Sequence, residues 1–580
     1  MLFIKKMILL FCFLFIPVAS GESTTPVKPE QQAIYSQMDI HHPVWAKNGM
    51  VATQEALATQ IGVDILQQGG NAVDAAVAVA YALAVTLPRA GNLGGGGFML
   101  LYLAEKKQSI AIDYREKAPA QATADMYLDN SGNVISSLSR FHGLAVGIPG
   151  TVMGLELARE KYGSMSRQAL LTPAIKLAAE GIEVTPDLAN SLKAVQERLT
   201  KWDSTKKIFY KENGTPYQAG EILQQKELAN SLKRISEQGV NGFYQGYTAQ
   251  QIALAVTQAG GIISSEDLKN YNAIERPPLT GTYRGYDIIA MPPPSSGGVH
   301  ILQMLNMLEN YPLAKMGHNS AATIHVMAET MRRAYADRSL YLGDSDFVKV
   351  PVQALTDKKY AQHLVEQIDF NKASLSSEVM PGKLAPYESN ETTHFSIIDK
   401  WGNAVANTYT LNFSYGSGLV AEGTGILLNN EMDDFSAKPG AANSYGLIGG
   451  EANAIAANKR PLSSMSPTII LKDSQPFLVT GTPGGSRIIS TTLQMISNVL
   501  DYEMNIAEAS AALRIHHQWL PDYIRVEKGL NIDTINLLKS KGHIVKVESA
   551  MGSTQSILKN EDGLYGASDP RKPNALSKGY

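Results

Sequence analysis

Residues 391–412 read Glu-Thr-Thr-His-Phe-Ser-Ile-Ile-Asp-Lys-Trp-Gly-Asn-Ala-Val-Ala-Asn-Thr-Tyr-Thr-Leu-Asn, and the fold prediction starts from them. Polar and apolar residues alternate over 392–399, which predicts a strand, and a second strand is predicted over 404–412. The Gly-Asn pair between them is typical of a hairpin turn. The residues in front, 371–390, are polar, contain proline and glycine without periodicity, and predict an exposed, flexible segment.

A threonine that begins such a strand suits one particular chemistry if the chain is cut in front of it. Cleavage of the bond between Glu391 and Thr392 gives Thr392 a free α-amine beside its hydroxyl. An α-amine titrates near neutral pH, so its neutral form can act as general base for that hydroxyl. One residue then supplies both nucleophile and base. The competing interpretation is a β-branched residue that only starts a strand.

A second motif offers groups that such a nucleophile needs. Residues 476–480 predict an apolar strand, 481–486 a glycine turn and 487–500 a helix. The N–H groups of Gly484 and Gly485, next to the helix N-terminus, can stabilise a negatively charged oxygen. An ordinary strand-to-helix turn is the alternative. A phosphate-binding loop is disfavoured because the lysine of such loops is missing.

The composition excludes several classes of function. Of the 580 residues, 44% are hydrophobic and 18% are charged, which is typical of a globular protein and not of a disordered one. The formal net charge is −3 and there is no long basic run, so nucleic acid is not an expected partner. Cys12 is the one cysteine. A mature chain without it has no thiol for catalysis, disulfides or zinc.

Residues 1–20 predict a secretory signal peptide. Lys5 and Lys6 precede a short apolar run, and small residues at 18–20 offer a cleavage site. The run is short for a bilayer span, so no stable membrane span is expected; a retained N-terminal anchor is the alternative. An exported protein without disulfides favours the periplasm, with secretion as the other location.

The rest of the chain changes between helical and strand patterns. Asn71 is predicted to cap a buried, Ala- and Val-rich helix over 73–86, and strands are predicted over 98–103 and 110–114. The middle of the chain, 151–370, predicts mainly helices with polar faces. Strands followed by helices in both halves predict an α/β (α+β) protein of stacked sheet and helix layers.

Three other features are given no chemistry. His516 and His517, even with Glu503, do not match the spacing of a zinc helix and are predicted to be surface or packed residues. His394 lies two residues beyond the candidate nucleophile, on the same strand face, and receives no catalytic role. The glycine run 94–97 is no dinucleotide fingerprint and predicts a close approach of backbone.

Seven motifs follow one another along the chain. They are Gly-Asn-Leu-Gly-Gly-Gly-Gly-Phe-Met (91–99), Asp-Tyr-Arg-Glu (113–116), Pro-Pro-Pro-Ser-Ser-Gly-Gly (292–298), Glu-Thr-Thr-His (391–394), Asn-Asn-Glu-Met-Asp-Asp-Phe (429–435), Pro-Leu-Ser-Ser-Met-Ser-Pro (461–467) and Gly-Gly-Ser-Arg (484–487). By these motifs the chain, from about residue 42 to 580, resembles the bacterial γ-glutamyltranspeptidases of the N-terminal-nucleophile hydrolase superfamily. The resemblance implies a four-layer αββα sandwich, formed jointly by a large fragment, 21–391, and a small fragment, 392–580.

The resemblance also implies the catalytic residues. Thr392 is implied to be the residue released by cleavage after Glu391 and the nucleophile of the reaction. Thr410 is implied to contact it. Gly484 and Gly485 are implied to form the oxyanion hole.

A substrate pocket is implied for both charges of an amino acid. Arg115, with Ser463 and Ser464, is implied to bind the α-carboxylate; a guanidinium fork suits a carboxylate because it makes two parallel charged hydrogen bonds. The acceptors implied for the α-ammonium are Asn412, Glu431 and Asp434. Some relatives carry glutamine where this chain has Glu431, and a carboxylate there still accepts from an ammonium. A loop over 437–449 is implied to cover the pocket, with Tyr445 at its tip; a simple solvent loop is the alternative.

The implied reaction is a double displacement on small-molecule substrates. Thr392 attacks a γ-glutamyl amide such as glutathione, and water, an amino acid or a peptide then takes the glutamyl group; no metal or organic cofactor is implied. The nearest alternatives are a related acylase and a poly-γ-glutamate depolymerase. Acylases need no ammonium pocket, so Asn412, Glu431 and Asp434 weigh against them. An exported solute-binding protein is the alternative from another class, and it would not cut its own chain.

Overall fold

The predicted hairpin is present at the centre of a seven-stranded sheet. Its strands Thr393–Ile398 and Ala404–Thr410 pair antiparallel, with Thr393 opposite Tyr409. The computed structural model describes residues 39–379, 392–438 and 450–580. In order across it, this first sheet consists of Leu576–Gly579, Met50–Thr53, Thr393–Ile398, Ala404–Thr410, Gly96–Leu103, Gln108–Tyr114 and Ile274–Arg276.

A second antiparallel sheet of seven strands carries the predicted strand before the glycine turn. In order, it consists of Val44–Ala46, Gly563–Ser568, Gln555–Asn560, Gln475–Thr480, Thr468–Lys472, Tyr286–Ala290 and Leu279–Tyr283. Both sheets therefore mix strands from before and after residue 392. Three small sheets accompany them: Ile515–His516 with Ile524–Glu527 and Val545–Glu548; Val420–Ala421 with Ile426–Leu427; and Ile182–Glu183 with Ile222–Leu223.

Helices before residue 270 form one group and later helices another. The first group is Ala56–Gln67, Ala72–Thr86, Ser136–Arg140, Thr151–Tyr162, Arg167–Glu180, Pro186–Ala194, Gln196–Leu199, Asp203–Phe209, Lys226–Gln238, Asn241–Tyr244, Gly246–Gln258 and Ser265–Lys269. The later group is Gly297–Leu308, Leu313–Met316, Ala321–Tyr341, Val352–Leu355, Lys358–Glu366, Arg487–Leu500, Ile506–Ala511 and Ile532–Ser540. Short 3-10 helices are Gly143–Ala145, Glu431–Asp434 and Glu451–Asn453.

Strand alternation shows how these elements stack. Phe395 and Ile397 belong to the core shared with the first helix group. Ile398, on the opposite strand face, packs with Val479 of the second sheet. The other face of the second sheet packs against the later helices. Successive side chains of a strand point to opposite faces, so the order is helix, sheet, sheet, helix, and the αββα prediction is confirmed.

The helix Ala72–Thr86 joins the hairpin to the helix layer. All of its residues are buried, and Asn71 caps it as predicted, in a capping box with Asp74. The N–H of Ala72 donates to Oδ2 of Asp399, 2.9 Å away, at the end of the first hairpin strand. This bond satisfies a helix N–H that has no partner within the helix.

The glycine run 94–97 lies against the strand Ala404–Thr410, as its close-approach prediction requires. A Cβ at Gly95 would lie 2.0 Å from the carbonyl oxygen of Thr410, and one at Gly97 would lie 2.5 Å from that of Thr408. Larger residues would push the two strands apart.

The prediction of polar-faced helices over 151–370 is wrong for the helix Ala321–Tyr341. Its charged residues are buried, and three of them pair with one another inside the protein. Glu329 lies 3.2 Å from Nε of Arg332 and 2.7 Å from Nη1 of Arg333. Charges neutralised in this way can be buried.

Several predictions fall wholly or partly outside the described residues. The signal peptide at 1–20, Cys12 and most of the predicted flexible segment lie there. The described part of that segment, 371–379, is largely exposed apart from Ser376. Among the described residues, no helix is long and apolar enough to cross a membrane.

Interleaved strands lead to a prediction about a chain cut before Thr392. Residues 41–580 form one compact unit, and Thr393–Ile398 pairs with Met50–Thr53 on the other side of the cut. We expect two bands on a denaturing gel without reductant, since Cys12 is the one cysteine. The same preparation should elute as a single active species from a native sizing column. Two folded fragments that elute separately, one of them active, would contradict this arrangement.

Candidate active site

Thr392 lies at the start of the central strand, on the face between the two sheets. Its side chain is buried, and its Oγ1 lies 3.2 Å from Oγ1 of Thr410 on the neighbouring strand. Oγ1 of Thr410 also accepts the N–H of Asn412 at 2.8 Å, which holds this hydroxyl in place. The structure thus places the predicted nucleophile beside its predicted partner.

His394 is close to this pair in sequence but is engaged elsewhere. Its Nδ1 lies 2.8 Å from Oγ1 of Thr408 and its Nε2 3.1 Å from Oγ of Ser396. Burial lowers the pKa of His394 to about 3. A side chain so weakly basic is a poor general base at neutral pH, in keeping with the absence of a predicted catalytic role.

A small cavity opens at Thr392 and gathers most of the predicted site residues. Its lining consists of Arg115, Arg338, Thr392, Thr410, Asn412, Glu431, Asp434, Ser463, Ser464, Met465, Gly485, Ser486 and Ile488. The residues come from both sides of the Glu391–Thr392 bond. A single site therefore requires both parts of the chain.

Arg115 is fully buried and forks onto two carboxylates. Its Nη1 donates to Oε1 of Glu431, and its Nη2 donates to Oδ2 of Asp434 at 2.5 Å. Burial lowers the pKa of Arg115, but the charges of Glu431 and Asp434 outweigh burial and raise it above its usual value. The positive charge of Arg115 is thus already balanced within the protein.

Glu116 adds a third buried carboxyl behind this fork. Its Oε2 lies 3.5 Å from Nη1 of Arg115, and neither of its oxygens accepts a hydrogen bond among the described residues. Burial raises the pKa of Glu116 to about 7, although Arg115 opposes the shift. The pKa values of Glu431 and Asp434 are also raised, first by burial.

Ser463 is fixed by the proline- and glycine-rich turn at 292–298. The N–H of Ser463 donates to the carbonyl of Pro294 at 2.9 Å, and the N–H of Ser296 donates to the carbonyl of Ser463 at 2.8 Å. Two of the seven motifs, 292–298 and 461–467, thus meet in space at the cavity.

Asn412 lies two residues beyond the second hairpin strand and has a left-handed conformation, with φ of 71°. Asparagine tolerates this region better than most residues. Its Nδ2 donates to the carbonyl of Asn430 at 2.9 Å, which fixes the side-chain amide beside the Glu431–Asp434 segment.

The glycine turn follows the strand Gln475–Thr480 and precedes the helix Arg487–Leu500, as predicted. Gly484 and Gly485 have φ of 137° and 56°, conformations that favour glycine. Gly485 lines the cavity, whereas Gly484 does not. Neither N–H donates a hydrogen bond within the described part of the chain. Glu391 and Tyr445, the predicted cleavage residue and lid tip, lie outside the described residues.

Two cavity residues, Ile488 and Arg338, are neither predicted site residues nor part of the seven motifs, and the charged one is Arg338. It lies near the end of the helix Ala321–Tyr341, in a region without a recognised motif. Ser486 and Met465 were within quoted motifs but had no assigned role. Because Arg338 reaches the cavity only through helix packing, no local pattern could have identified it.

A cluster of His325, Glu329 and His543 has donor atoms close enough for a metal ion, but its surroundings oppose one. Nδ1 of His325 lies 2.7 Å from Nε2 of His543, a direct hydrogen bond. Arg332 and Arg333 both pair with Glu329, so the carboxylate is already neutralised. His516 and His517 are buried and bonded to Gln518 and Asp522, which confirms the packed interpretation.

Comparisons with known proteins agree over nearly the whole chain. A family model described as gamma-glutamyltranspeptidase matches residues 58–579. The chain is 57% identical to the glutathione hydrolase proenzyme of Escherichia coli (strain K12), with 97% of this chain and 96% of that one covered. Cephalosporin acylase from Bacillus halodurans matches with a TM-score of 0.83 at 28% identity, over 94% of this chain and 98% of that chain. γ-Glutamyltranspeptidase of Helicobacter pylori matches with a TM-score of 0.55 at 48% identity, over 56% of this chain and 93% of that chain.

The buried Glu116 leads to a prediction about stability and pH. Its pKa is higher in the folded protein, about 7, than in an unfolded chain, about 4.3. Its contribution to stability is therefore fully present below the unfolded value and is lost as the pH rises through about 7. We expect Glu116→Gln to become more stable relative to the unsubstituted protein between pH 5 and pH 8, measured as urea midpoints.

The matched control is Glu160→Gln, because Glu160 is an exposed carboxyl. It should leave the pH dependence of the urea midpoint unchanged. Parallel pH profiles for Glu116→Gln and the unsubstituted protein would show that Glu116 does not hold a proton tightly in the folded state.

Proposed function

The chain belongs to the gamma-glutamyltranspeptidase family, and we propose that it cuts itself before Thr392 and then transfers γ-glutamyl groups from amides such as glutathione. The observation that carries this proposal is the hydroxyl of Thr392, buried beside Thr410 in a cavity lined with both cations and carboxylates. The two fragments stay together as a heterodimer, since their strands interleave in both sheets.

The nucleophilic step follows from the position of Thr392. After cleavage its neutral α-amine accepts the hydroxyl proton while Oγ1 attacks the γ-carbonyl carbon of the donor. The oxygen that becomes negative is stabilised by the N–H groups of Gly484 and Gly485. The amine then leaves with a proton, and a γ-glutamyl ester of Thr392 remains. Water or the amine of an amino acid or peptide attacks this ester and frees Thr392.

Charge balance supports a zwitterionic donor. The cavity contains two guanidinium groups, those of Arg115 and Arg338, and the carboxyls of Glu431 and Asp434. A γ-glutamyl group brings one carboxylate and one ammonium, so its entry leaves the net charge of the cavity unchanged. We assign its α-carboxylate to Arg115, Ser463 and Ser464. Its α-ammonium is assigned to Asn412, Glu431 and Asp434.

Two of the alternatives stay open within the family and one does not. The match to an enzyme family, with a glutathione hydrolase proenzyme as a relative, disfavours the solute-binding protein. An acylase shares the fold. A glutaryl group, however, lacks the ammonium from which Asp434 and Glu431 would accept hydrogen bonds. Hydrolysis rates for γ-glutamyl and glutaryl p-nitroanilides separate the two: we expect the γ-glutamyl compound to be preferred, and a preference for the glutaryl compound would favour the acylase. Poly-γ-glutamate as the preferred donor would favour the depolymerase.

Export to the periplasm stays a prediction from residues 1–20.

Thr392→Ala tests the nucleophile. We expect an uncut chain without measurable activity on γ-glutamyl-p-nitroanilide, because the same hydroxyl serves both self-cleavage and turnover. The control Thr392→Ser should cut, more slowly, since serine keeps the hydroxyl. Two fragments of the usual masses from Thr392→Ala would remove Thr392 from both roles.

Arg115→Lys tests the carboxylate pocket. An ammonium cannot replace the two-pronged guanidinium, so we expect normal cleavage and a donor KM raised by about 10-fold or more. Arg140→Lys is the matched control, because Arg140 lies 3.7 Å from Asp433 but outside the cavity lining. An unchanged donor KM in Arg115→Lys would exclude Arg115 from donor binding.

A further inference from the structure

Arg338 lines the cavity as a buried cation without an anionic partner. Its side chain is 4% exposed. Within the described residues, no carboxylate oxygen lies within ion-pair distance of its guanidinium. A buried charge that lacks a counter-charge is costly, so proteins seldom keep one without a use for it.

Arg115 differs from Arg338 in this respect. Glu431 and Asp434 occupy the fork of Arg115. Arg338 has no such ion pair among the described residues, and Asp434 acts on it only from beyond ion-pair distance. Burial lowers the pKa of Arg338 to about 10; the charge of Arg115 also lowers this pKa, whereas Tyr335 and Asp434 raise it. At neutral pH the group still carries its charge.

Arg338 is hydrogen-bonded to one of the two predicted pocket serines. Its Nη2 donates to Oγ of Ser464 at 3.1 Å, while its Nε donates to Oγ of Ser296 at 2.9 Å. Oγ of Ser463 accepts the N–H of Met465 at 3.1 Å. Since Ser463 and Ser464 both accept from the protein, each keeps its own proton to donate to an anion.

The third nitrogen of the guanidinium supports the same conclusion. Nη1 of Arg338 has no hydrogen-bond partner within the described residues. This nitrogen can donate to a ligand beside the hydroxyls of Ser463 and Ser464. Three such donors suit a carboxylate, whose two oxygens accept up to about four hydrogen bonds.

We propose that Arg338 is a positioning and specificity residue for the donor α-carboxylate, on which it acts through a positive charge that has no ion pair among the described residues and through its bond to Ser464. This inference rests on the proposed γ-glutamyl transfer and deepens it. Donors with a carboxylate at this end, γ-glutamyl and glutaryl compounds alike, depend on Arg338. Compounds that lack this carboxylate do not.

Competitive inhibition of γ-glutamyl-p-nitroanilide hydrolysis tests the dependence without requiring turnover of the probe. L-Glutamate and glutarate carry the carboxylate in question, whereas 4-aminobutyrate lacks it and keeps the ammonium. For Arg338→Gln we expect the inhibition constants of L-glutamate and glutarate to rise by about 10-fold or more. The inhibition constant of 4-aminobutyrate should stay the same. The donor KM should rise with kcat nearly preserved.

Two further variants keep the test decisive. Arg338→Lys retains the charge and should lose less of the discrimination than Arg338→Gln. Arg284→Gln removes a guanidinium that pairs with Asp501 outside the cavity lining and should leave the discrimination unchanged. A double-mutant cycle between Arg338→Gln and Ser464→Ala should be non-additive, because the first residue acts partly through the second.

Equal changes for all three inhibitors, or none, would overturn the proposal. So would Arg338 variants that stay uncut while Ser464→Ala matures, because Arg338 would then serve folding or self-cleavage. These results differ from a failure of the proposed function itself, in which the unsubstituted protein would not hydrolyse γ-glutamyl-p-nitroanilide at all.

Discussion

The arrangement depends on one constraint: the residue that we propose becomes a chain end lies next to the middle strands of a sheet. Thr393–Ile398 pairs with Ala404–Thr410 along its length, and its second half also pairs with Met50–Thr53. Cα partners in an antiparallel pair fix the position of the side chains along it. This pairing places Thr392 beside Thr410, with 3.2 Å between their Oγ1 atoms. In the proposed mechanism the sheet therefore positions the nucleophile.

A second constraint is the balance of charge among the buried side chains of the site. Glu431, Asp434 and Glu116 surround Arg115, and burial raises the pKa of each of the three carboxyls. Arg338 lines the same cavity without an ion pair of its own among the described residues. The cavity thus offers both cationic and carboxyl side chains, which matches the two charges of an amino acid.

The sequence predicted those parts of the structure that depend on residues close together in the chain. The hairpin at Thr392, the glycine turn at Gly485 and the cap at Asn71 each depend on residues that are neighbours in the chain. The motifs around Arg115 and Ser463 predicted two more segments by resemblance. The sequence did not predict that Arg338 lines the cavity, because the position of this residue depends on how the helix Ala321–Tyr341 packs. The burial of Arg332 and Arg333 was missed for the same reason, since ion pairs inside a protein leave no periodic signal.

The central claim is that Thr392 is both a new N-terminus and the nucleophile, and mapping the acyl-enzyme tests it most directly. The enzyme would be mixed with a γ-glutamyl donor, quenched in acid within milliseconds and digested, and the modified peptide sequenced by mass spectrometry. The account predicts a small-fragment peptide that begins Thr-Thr-His-Phe-Ser and carries a γ-glutamyl group on Thr392. A γ-glutamyl group on any other residue, or a chain still continuous through residues 391 and 392 in active enzyme, would contradict it.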